Sequence, residues 1–531
     1  MKTGFSTLLV GALMCAVPAQ ADETHSHPPP LKLGTVVFAT SCAPAVARDF
    51  ERAVALLHSF AYTAAEEAFR NVAAADPTCA MAHWGAAMSY FHPLWSPPGP
   101  ADLAKGQAEI AQAMQLDAHT AREKQFIAAA AAYYHDFEHL PPPARAKAYE
   151  VAMAQAARSN PKDIEVQVFH ALALLAIAPP DDRTHANQKR AAAILEPIWR
   201  AYPDHPGVAH YLIHAYDSAE LASRGLAAAR AYSKIAPSAP HALHMPSHTF
   251  IAVGMWQDSI QSNLAAAESA KNLGWAQEES HSLDYLVYAY LQGAQAGAAR
   301  DILQRLATVK VDEKARTLPV DYAQAAVPAR FALEQRRWAD AAALTPAPSR
   351  FPATRALTYY ARALGAAHIG AVDEVSAAVR ELTAVRDALL ESKQDYWAKQ
   401  VEVQRETAQA WLAWAHGNSN EAVKLMRAAA DLEDTTYKHP ITPGQLLPAR
   451  ELLGDLLLEV NQPAQALAAY ESSLKLTPNR FNGIYGAAQA AELSGDRAKA
   501  AAYYKQLLAA CEKADTDRQE VQRARLFLAS N

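Results

Sequence analysis

Several features that would assign a sequence to a familiar class are missing from this chain of 531 residues. Runs of β-branched residues are scarce, which argues against a sheet-based fold. Acidic and basic residues are interspersed at a formal net charge of −6, and no basic stripe with interleaved aromatic residues occurs. The sequence therefore predicts no nucleic-acid partner. No stretch beyond the N-terminal segment is apolar enough to cross a bilayer, so we expect no transmembrane segment in the mature chain.

Common catalytic motifs are also missing. The sequence contains no His-Glu-x-x-His, no Gly-x-Ser-x-Gly, no phosphate-binding glycine-rich loop and no dinucleotide fingerprint. These motifs place a metal-bound water, a nucleophilic serine or a phosphate against a helix end, and each requires its own spacing. The sequence leaves open whether the chain is an enzyme.

The N-terminus has the pattern of a secretory signal peptide. Lys2 supplies a positive charge, residues 5–17 form a short apolar run, and the small-residue site at 19–21 precedes Asp22. We predict cleavage after Ala21 and a periplasmic or secreted mature chain. A lipoprotein anchored at Cys15 is the less favoured alternative.

Only four cysteines occur, and cleavage of the signal peptide leaves Cys42, Cys79 and Cys511. In an oxidising compartment Cys42 and Cys79 could form a disulfide, but two buried free thiols fit the sequence equally well. Cys511 lies in LLAACEKAD, which has the pattern of an ordinary helix.

Alanine-rich segments recur with a period of 34 residues and predict an all-α chain. Near the C-terminus, Ala466 aligns with Ala500 and Tyr470 with Tyr504 at this shift. A helix–turn–helix unit of this length, with small residues at the helix crossing, resembles the tetratricopeptide (TPR) repeat. The resemblance implies a right-handed α-solenoid with a concave groove that can bind a protein or peptide partner.

The chain also resembles exported, functionally uncharacterised bacterial TPR proteins, through the segments TSCAPA, ALLHSF, DPTCAMAHWGAAMSY, HALHMPSH and KHPITPG. We divide it into a signal peptide, an N-terminal extension, N-terminal helical repeats, central TPR units with a histidine cluster, helical repeats of weak register and C-terminal TPR units. These segments cover residues 1–21, 22–45, 46–202, 203–313, 314–440 and 441–531.

Histidines occupy the same places in two neighbouring repeats. At a shift of 34, His210 aligns with His244 and His214 aligns with His248, so both repeats carry His-x-x-x-His. In TPR proteins these positions face the groove, and the resemblance therefore implies that the four imidazoles converge there. We expect His241, His281 and Asp284 at the edge of this cluster. Pro246 either starts a helix or interrupts one, and the sequence does not choose between the two.

Two imidazoles one helical turn apart can bind one ion, and a second pair can complete its coordination. We therefore predict one transition-metal ion, copper or zinc, with iron less favoured. The predicted ligand set is His210, His214, His244, His248, His241, His281 and Asp284. The alternatives are a groove that binds protein or peptide without metal, a metal-dependent oxygenase or hydrolase, and histidines that only fill the groove wall.

Residues 431–459 combine charged residues with the segment KHPITPG. The simpler interpretation is a connector followed by a helix that starts near Pro448. The alternative is a lid that closes one end of the groove.

Overall fold

The structure is a computed structural model that describes residues 1, 31–94, 97–179, 182–311, 313 and 316–530. All regular secondary structure within these ranges is helical, and they contain no β-strand. The prediction of an all-α solenoid of TPR-like helix pairs is confirmed. The predicted signal peptide, apart from Met1, and its cleavage site lie outside the described residues. Residues 32–531 form one compact unit.

The N-terminal half begins with a short 3-10 helix, Pro44–Val46, and continues in paired helices. They are α1 (Ala47–His58), α2 (Tyr62–Ala75), α3 (Ala80–Tyr90), α4 (Pro100–Gln115), α5 (Ala121–Tyr134), α6 (Pro142–Ser159), α7 (Ile164–Ala176), α8 (Ala186–Ala201), α9 (Pro206–Ala215), α10 (Ala222–Ile235), α11 (Pro240–His244), α12 (Pro246–Ala252) and α13 (Trp256–Leu273).

The C-terminal half continues the same arrangement. Its helices are α14 (Ala276–Gln292), α15 (Ala296–Thr308), α16 (Leu318–Glu334), α17 (Trp338–Ala342), α18 (Pro352–His368), α19 (Val372–Glu391), α20 (Asp395–Ala415), α21 (Ser419–Glu433), α22 (Ala449–Glu459), α23 (Pro463–Leu476), α24 (Phe481–Leu493), α25 (Arg497–Ala510) and α26 (Gln519–Ala529). No helix among the described residues is long and apolar enough to span a membrane.

Small residues at the helix crossings explain the close packing of each pair. A Cβ atom on Gly85 would lie 2.3 Å from the ring of Phe69, and one on Gly486 would lie 2.3 Å from the ring of Tyr470. Only glycine allows the helix backbone to approach these buried rings so closely. Prolines start many of the helices, including Pro206 in α9, because the first turn of a helix needs no hydrogen bond from its N–H group.

The N-terminal extension is fixed to the repeats. Cys42 and Cys79 form a disulfide bond, which is one of the two states that the sequence left open. Glu123 at the start of α5 accepts hydrogen bonds from the backbone and side chain of Ser41. Gly34 has φ of +85°, and a Cβ atom there would lie 2.6 Å from the carbonyl oxygen of Asp204.

A buried ion-pair network joins repeats that are far apart in sequence. Arg480 is fully buried, and it pairs with Glu334 of α16 at 2.8 Å and with Glu451 of α22 at 2.9 Å. It also donates a hydrogen bond to the hydroxyl of Tyr288 on α14. These contacts bring the C-terminal repeats against the central ones that carry the histidines. Removing one partner would leave a buried charge uncompensated.

Candidate functional site

Four helices of neighbouring repeats position the predicted histidines. Pro206 opens α9 and Pro240 opens α11, 34 residues apart, as the sequence register predicts. His210 and His214 lie on α9, and His281 lies on α14. Because α9, α11 with α12, and α14 pack side by side in successive repeats, their histidines meet on one side of the stack.

Pro246 does not break the helical path. Met245, between α11 and α12, has φ of −52° and ψ of −35°, which is right-handed helical backbone. Its N–H donates to the carbonyl of His241 at 2.9 Å, and Pro246 is the first residue of α12. Proline has no backbone N–H, but the first residue of a helix does not need one for a hydrogen bond within the helix. His241, His244 and His248 consequently stay on one continuous helical face.

Six of the predicted histidines form two adjoining groups of three. The first triad consists of His210, His214 and His241, and the second triad consists of His244, His248 and His281. Within each triad, one ring nitrogen from every member lies within 4.8 Å of the others. Each group thus combines the two histidines of one aligned repeat with one histidine that we expected at the edge, His241 or His281.

The second triad contains a close pair of nitrogen atoms. Nε2 of His244 and Nε2 of His248 are 3.0 Å apart, and both residues are buried. Two nitrogen ligands held at about 2.0–2.1 Å from one ion are about 2.9 Å apart at a right angle and about 3.4 Å apart at a tetrahedral angle. The observed distance therefore suits two ligands of one ion, and it also suits a single hydrogen bond.

The outer partners of these two rings determine where their protons are. Asp217 lies 2.9 Å from Nδ1 of His248 and can only accept a hydrogen bond there. Asn263 donates its amide N–H to the carbonyl of Ser259, so its oxygen faces Nδ1 of His244 at 2.7 Å. Both neutral rings therefore carry their proton on Nδ1. Their Nε2 atoms are both acceptors, and a hydrogen bond between them would require an additional proton.

Burial disfavours that additional proton. It lowers the pKa of His244 well below the usual range, and nearby histidines lower it further. Burial also lowers the pKa of His248 to about 4, although Asp217 opposes this shift. The pKa of His281 falls to about 3 for the same reason, with Glu278 opposing. At neutral pH the second triad consequently presents three neutral imidazoles, which is the protonation state that binds metals.

The first triad also contains a close pair of Nε2 atoms. Nδ1 of His210 donates to the backbone carbonyl of His58 at 2.6 Å, which makes its Nε2 an acceptor. This Nε2 lies 3.0 Å from Nε2 of His214. Nδ1 of His241 is 3.4 Å from a carboxylate oxygen of Glu278. Burial lowers the pKa of both His210 and His214 well below the usual range.

Asp284 belongs to neither triad. It lies on α14 as expected, but its carboxylate is 3.5 Å from Nε of Arg330 in a fully buried pair. Burial raises the pKa of Asp284 to about 6, although Arg330 opposes the shift. Arg330 in turn donates hydrogen bonds to the carbonyls of Gly444 and Gln445. Asp284 sits one helical turn beyond His281, and at that distance it orients an arginine rather than the histidines.

A third buried group shows how the protein satisfies histidines by itself. Glu165 accepts hydrogen bonds from Nε2 of His58 at 2.9 Å and from Nε2 of His205 at 3.0 Å. Nδ1 of His58 accepts from the hydroxyl of Tyr211. Burial alone would raise the pKa of Glu165, but its two histidine partners lower it to about 2. Every donor here meets an acceptor. In the second triad, by contrast, two acceptor Nε2 atoms face each other, and the hydroxyl of Tyr285 lies 3.3 Å from Nε2 of His248.

Residues 434–448, which we call the crossing segment, lie against the histidine-bearing repeats. Lys438 pairs with Asp217 at 3.1 Å, through the same carboxylate oxygen that contacts His248. Tyr285 of α14 donates to the carbonyl of Thr442 at 2.9 Å. Pro448 caps α22, which agrees with the predicted start of that helix. The segment is therefore both a connector and a cover over part of the site.

Sequence analysis did not identify Asn263 or Lys438 as neighbours of the histidines. Asn263 lies on α13, the second helix of its repeat. The predicted groove positions lie on first helices, so the repeat pattern does not indicate Asn263. Lys438 contacts Asp217 although 221 residues separate them in sequence. This contact forms only when the crossing segment packs against the central repeats. Asp217 was recognisable only by its place shortly after His214.

Comparisons with known proteins add little to this description. No protein-family model matches the chain, and no curated protein matches it. Among solved structures, the chain is similar to a human IFIT1 dimer with m7Gppp-AAAA, at 12% identity and a TM-score of 0.35, over 85% of this chain and 90% of that one. It is also similar to a human IFIT1 dimer with PPP-AAAA, at 10% identity and a TM-score of 0.33, over 82% and 91%. Similarity at this level supports no statement about ligands of this chain.

Proposed function

We propose that the chain is a helical-repeat scaffold that binds a transition-metal ion through the second triad. The observation that carries this proposal is the pair of Nε2 acceptors on His244 and His248, which face each other at 3.0 Å. Their Nδ1 protons are directed to Asn263 and Asp217, and burial opposes protonation of Nε2. A metal ion would replace the repulsion of two lone pairs by two coordinate bonds.

The donor set favours copper or zinc. The second triad offers imidazole nitrogen atoms only, and such ligands suit both metals. The carboxylate that would favour non-haem iron is directed elsewhere, because Asp284 pairs with Arg330. The carboxylate of Asp217 instead contacts the far side of His248, where it would fix the ring and increase its basicity as a ligand.

Three protein ligands leave one position open on a four-coordinate ion, as in catalytic rather than structural zinc sites. A small cavity borders His248 and His281, and Pro440 and Ile441 of the crossing segment close its other side. The cavity has room for about one water molecule, which could occupy that position. A metal-dependent oxygenase or hydrolase is therefore the alternative that this geometry favours, and metal-dependent turnover would establish it.

A metal-independent peptide groove has less support. The crossing segment already occupies part of the surface along the first helices of the central repeats, through Lys438, Thr442 and Gly444. A peptide on the same surface would have to displace these contacts. Capture of a protein partner that is unaffected by a chelator would favour the scaffold alternative.

We also propose that the mature chain is periplasmic or secreted and begins at Asp22. The disulfide between Cys42 and Cys79 supports this location, because such bonds persist in oxidising compartments. N-terminal sequencing of the mature protein should give Asp22. A sequence that begins at Met1, or a lipid on Cys15, would contradict the proposal.

Metal analysis of the mature protein, purified without an affinity tag, tests the metal proposal. Calorimetric titration with copper and zinc should show a saturable site that is lost in His248→Ala. The matched control is His416→Ala, which removes an exposed imidazole outside both triads. Binding that is absent from the wild type, or equal in the two variants, would refute the proposal.

A further inference from the structure

The two triads adjoin each other without an intervening layer of protein. The rings of His241 and His244, one from each triad, are 6.2 Å apart between centroids. The rings of His214 and His248 are 6.3 Å apart. Within the second triad, the rings of His248 and His281 are also 6.3 Å apart. The distances between rings of different triads therefore match the longest distance within the second triad, whose other two ring distances are 4.3 and 5.0 Å, and the six histidines form one continuous imidazole-lined region.

Each triad is bounded by one aromatic ring that contacts all three of its members. The ring of Phe60 lies 4.4, 5.9 and 5.5 Å from those of His210, His214 and His241. The ring of Tyr285 lies 4.6, 5.1 and 5.0 Å from those of His244, His248 and His281. The same arrangement thus occurs twice. In both, the aromatic ring limits the access of water to the nitrogen atoms, which strengthens electrostatic interactions there. In the second triad the hydroxyl of Tyr285 also lies 3.3 Å from Nε2 of His248.

Each triad also has one carboxylate behind one of its histidines. Asp217 contacts Nδ1 of His248, and Glu278 contacts Nδ1 of His241. Two cations at neighbouring positions repel each other, and the two carboxylates supply compensating negative charge. The small cavity that borders the second triad is also lined by His241, so it lies between the two triads.

We infer that the two triads bind two ions of the same metal as a neighbouring pair, with three imidazole ligands for each ion. This inference rests on the proposed metal function and extends it from one ion to two. Paired metal ions in proteins lie close enough to share a ligand, and the cavity between the triads is where such a ligand would fit. The class of site is a dinuclear copper or zinc centre with six histidine ligands.

Copper titration of the metal-free mature protein tests the inference. The wild type should bind two Cu(II) ions, and its electron paramagnetic resonance signal should integrate to well under half of the bound copper, because neighbouring Cu(II) ions couple. His210→Ala and His281→Ala each remove a ligand from one triad. Each variant should bind one Cu(II) ion fewer and recover an uncoupled signal, while His416→Ala should behave as the wild type.

The wild-type measurement decides the inference without the variants, and circular dichroism confirms that each variant is folded. One Cu(II) ion per chain, or two ions with the full uncoupled signal, would overturn the pair and leave the proposed metal function standing. No bound Cu(II), together with no bound zinc, would overturn both.

Discussion

Replacing Asp217 by asparagine removes the negative charge that lies behind His248. The carboxylate oxygen lies 2.9 Å from Nδ1 of His248, and its side chain is 9% exposed, so water can replace it only poorly. The amide oxygen of asparagine can still accept from Nδ1, because Lys438 also contacts this position and can only donate. A neutral amide, however, no longer increases the basicity of the imidazole as a ligand.

The expected loss follows from this loss of charge. Changing an outer hydrogen-bond partner of a metal-binding histidine weakens metal affinity by roughly 10–100-fold, or about 1.4–2.8 kcal/mol. We expect Asp217→Asn to show a loss in this range for copper and for zinc in calorimetric titration. The effect should fall on affinity rather than on the number of ions, because all three ligands of the second triad are still present.

Lys438→Gln is the matched control for this experiment. Lys438 contacts the same oxygen of Asp217 at 3.1 Å, and it belongs to the crossing segment rather than to a histidine-bearing helix. Its removal takes a positive charge away from the site, so affinity should be unchanged or increased. Wild-type affinity in Asp217→Asn, or an equal loss in Lys438→Gln, would refute the role that we assign to Asp217.

Three further predictions concern stability. The pKa of His248 is 6.5 in an unfolded chain and about 4 in the folded one, so the unfolded state binds more protons between these pH values. The free energy of unfolding of the metal-free protein, measured with urea, should therefore fall by about 3 kcal/mol through this group between pH 6.5 and pH 4. A free energy of unfolding that does not change with pH would contradict this prediction. A Cβ atom on Gly207 would lie 2.5 Å from Nδ1 of His58. Gly207→Ala should therefore lower the free energy of unfolding by about 1–3 kcal/mol and with it the melting temperature. An unchanged melting temperature would contradict this close fit. Reducing the disulfide between Cys42 and Cys79, which are 37 residues apart, should cost about 4 kcal/mol in denaturant unfolding, and equal stability of the reduced protein would contradict the estimate.

The sequence predicts the repeat architecture well because the 34-residue period acts locally. Pro206 and Pro240 start their helices at the expected shift, and Pro463 and Arg497 start α23 and α25 at the same shift. Small residues at the crossings and tyrosines such as Tyr470 opposite them are visible in the sequence as a pattern. Local helix preference and this pattern point to the same fold.

The grouping of the histidines could not be predicted from the same pattern. The register aligns His210 with His244, but it does not say that His241 turns toward the preceding repeat. That outcome depends on contacts with earlier repeats, where the ring of His241 lies 5.0 Å from that of His210 and 5.5 Å from that of Phe60. The place of Asp284 depends on Arg330, which lies on another repeat. Contacts of this kind arise from packing between repeats, for which a single period carries no information.

The position of a bound ion tests the central claim most directly. A crystal of the mature protein grown with zinc or copper should give an anomalous diffraction peak at the absorption edge of that metal. We predict a peak within about 2.0–2.1 Å of Nε2 of both His244 and His248. A fully loaded crystal whose strongest peak lies outside both triads, or that gives no peak, would contradict the account.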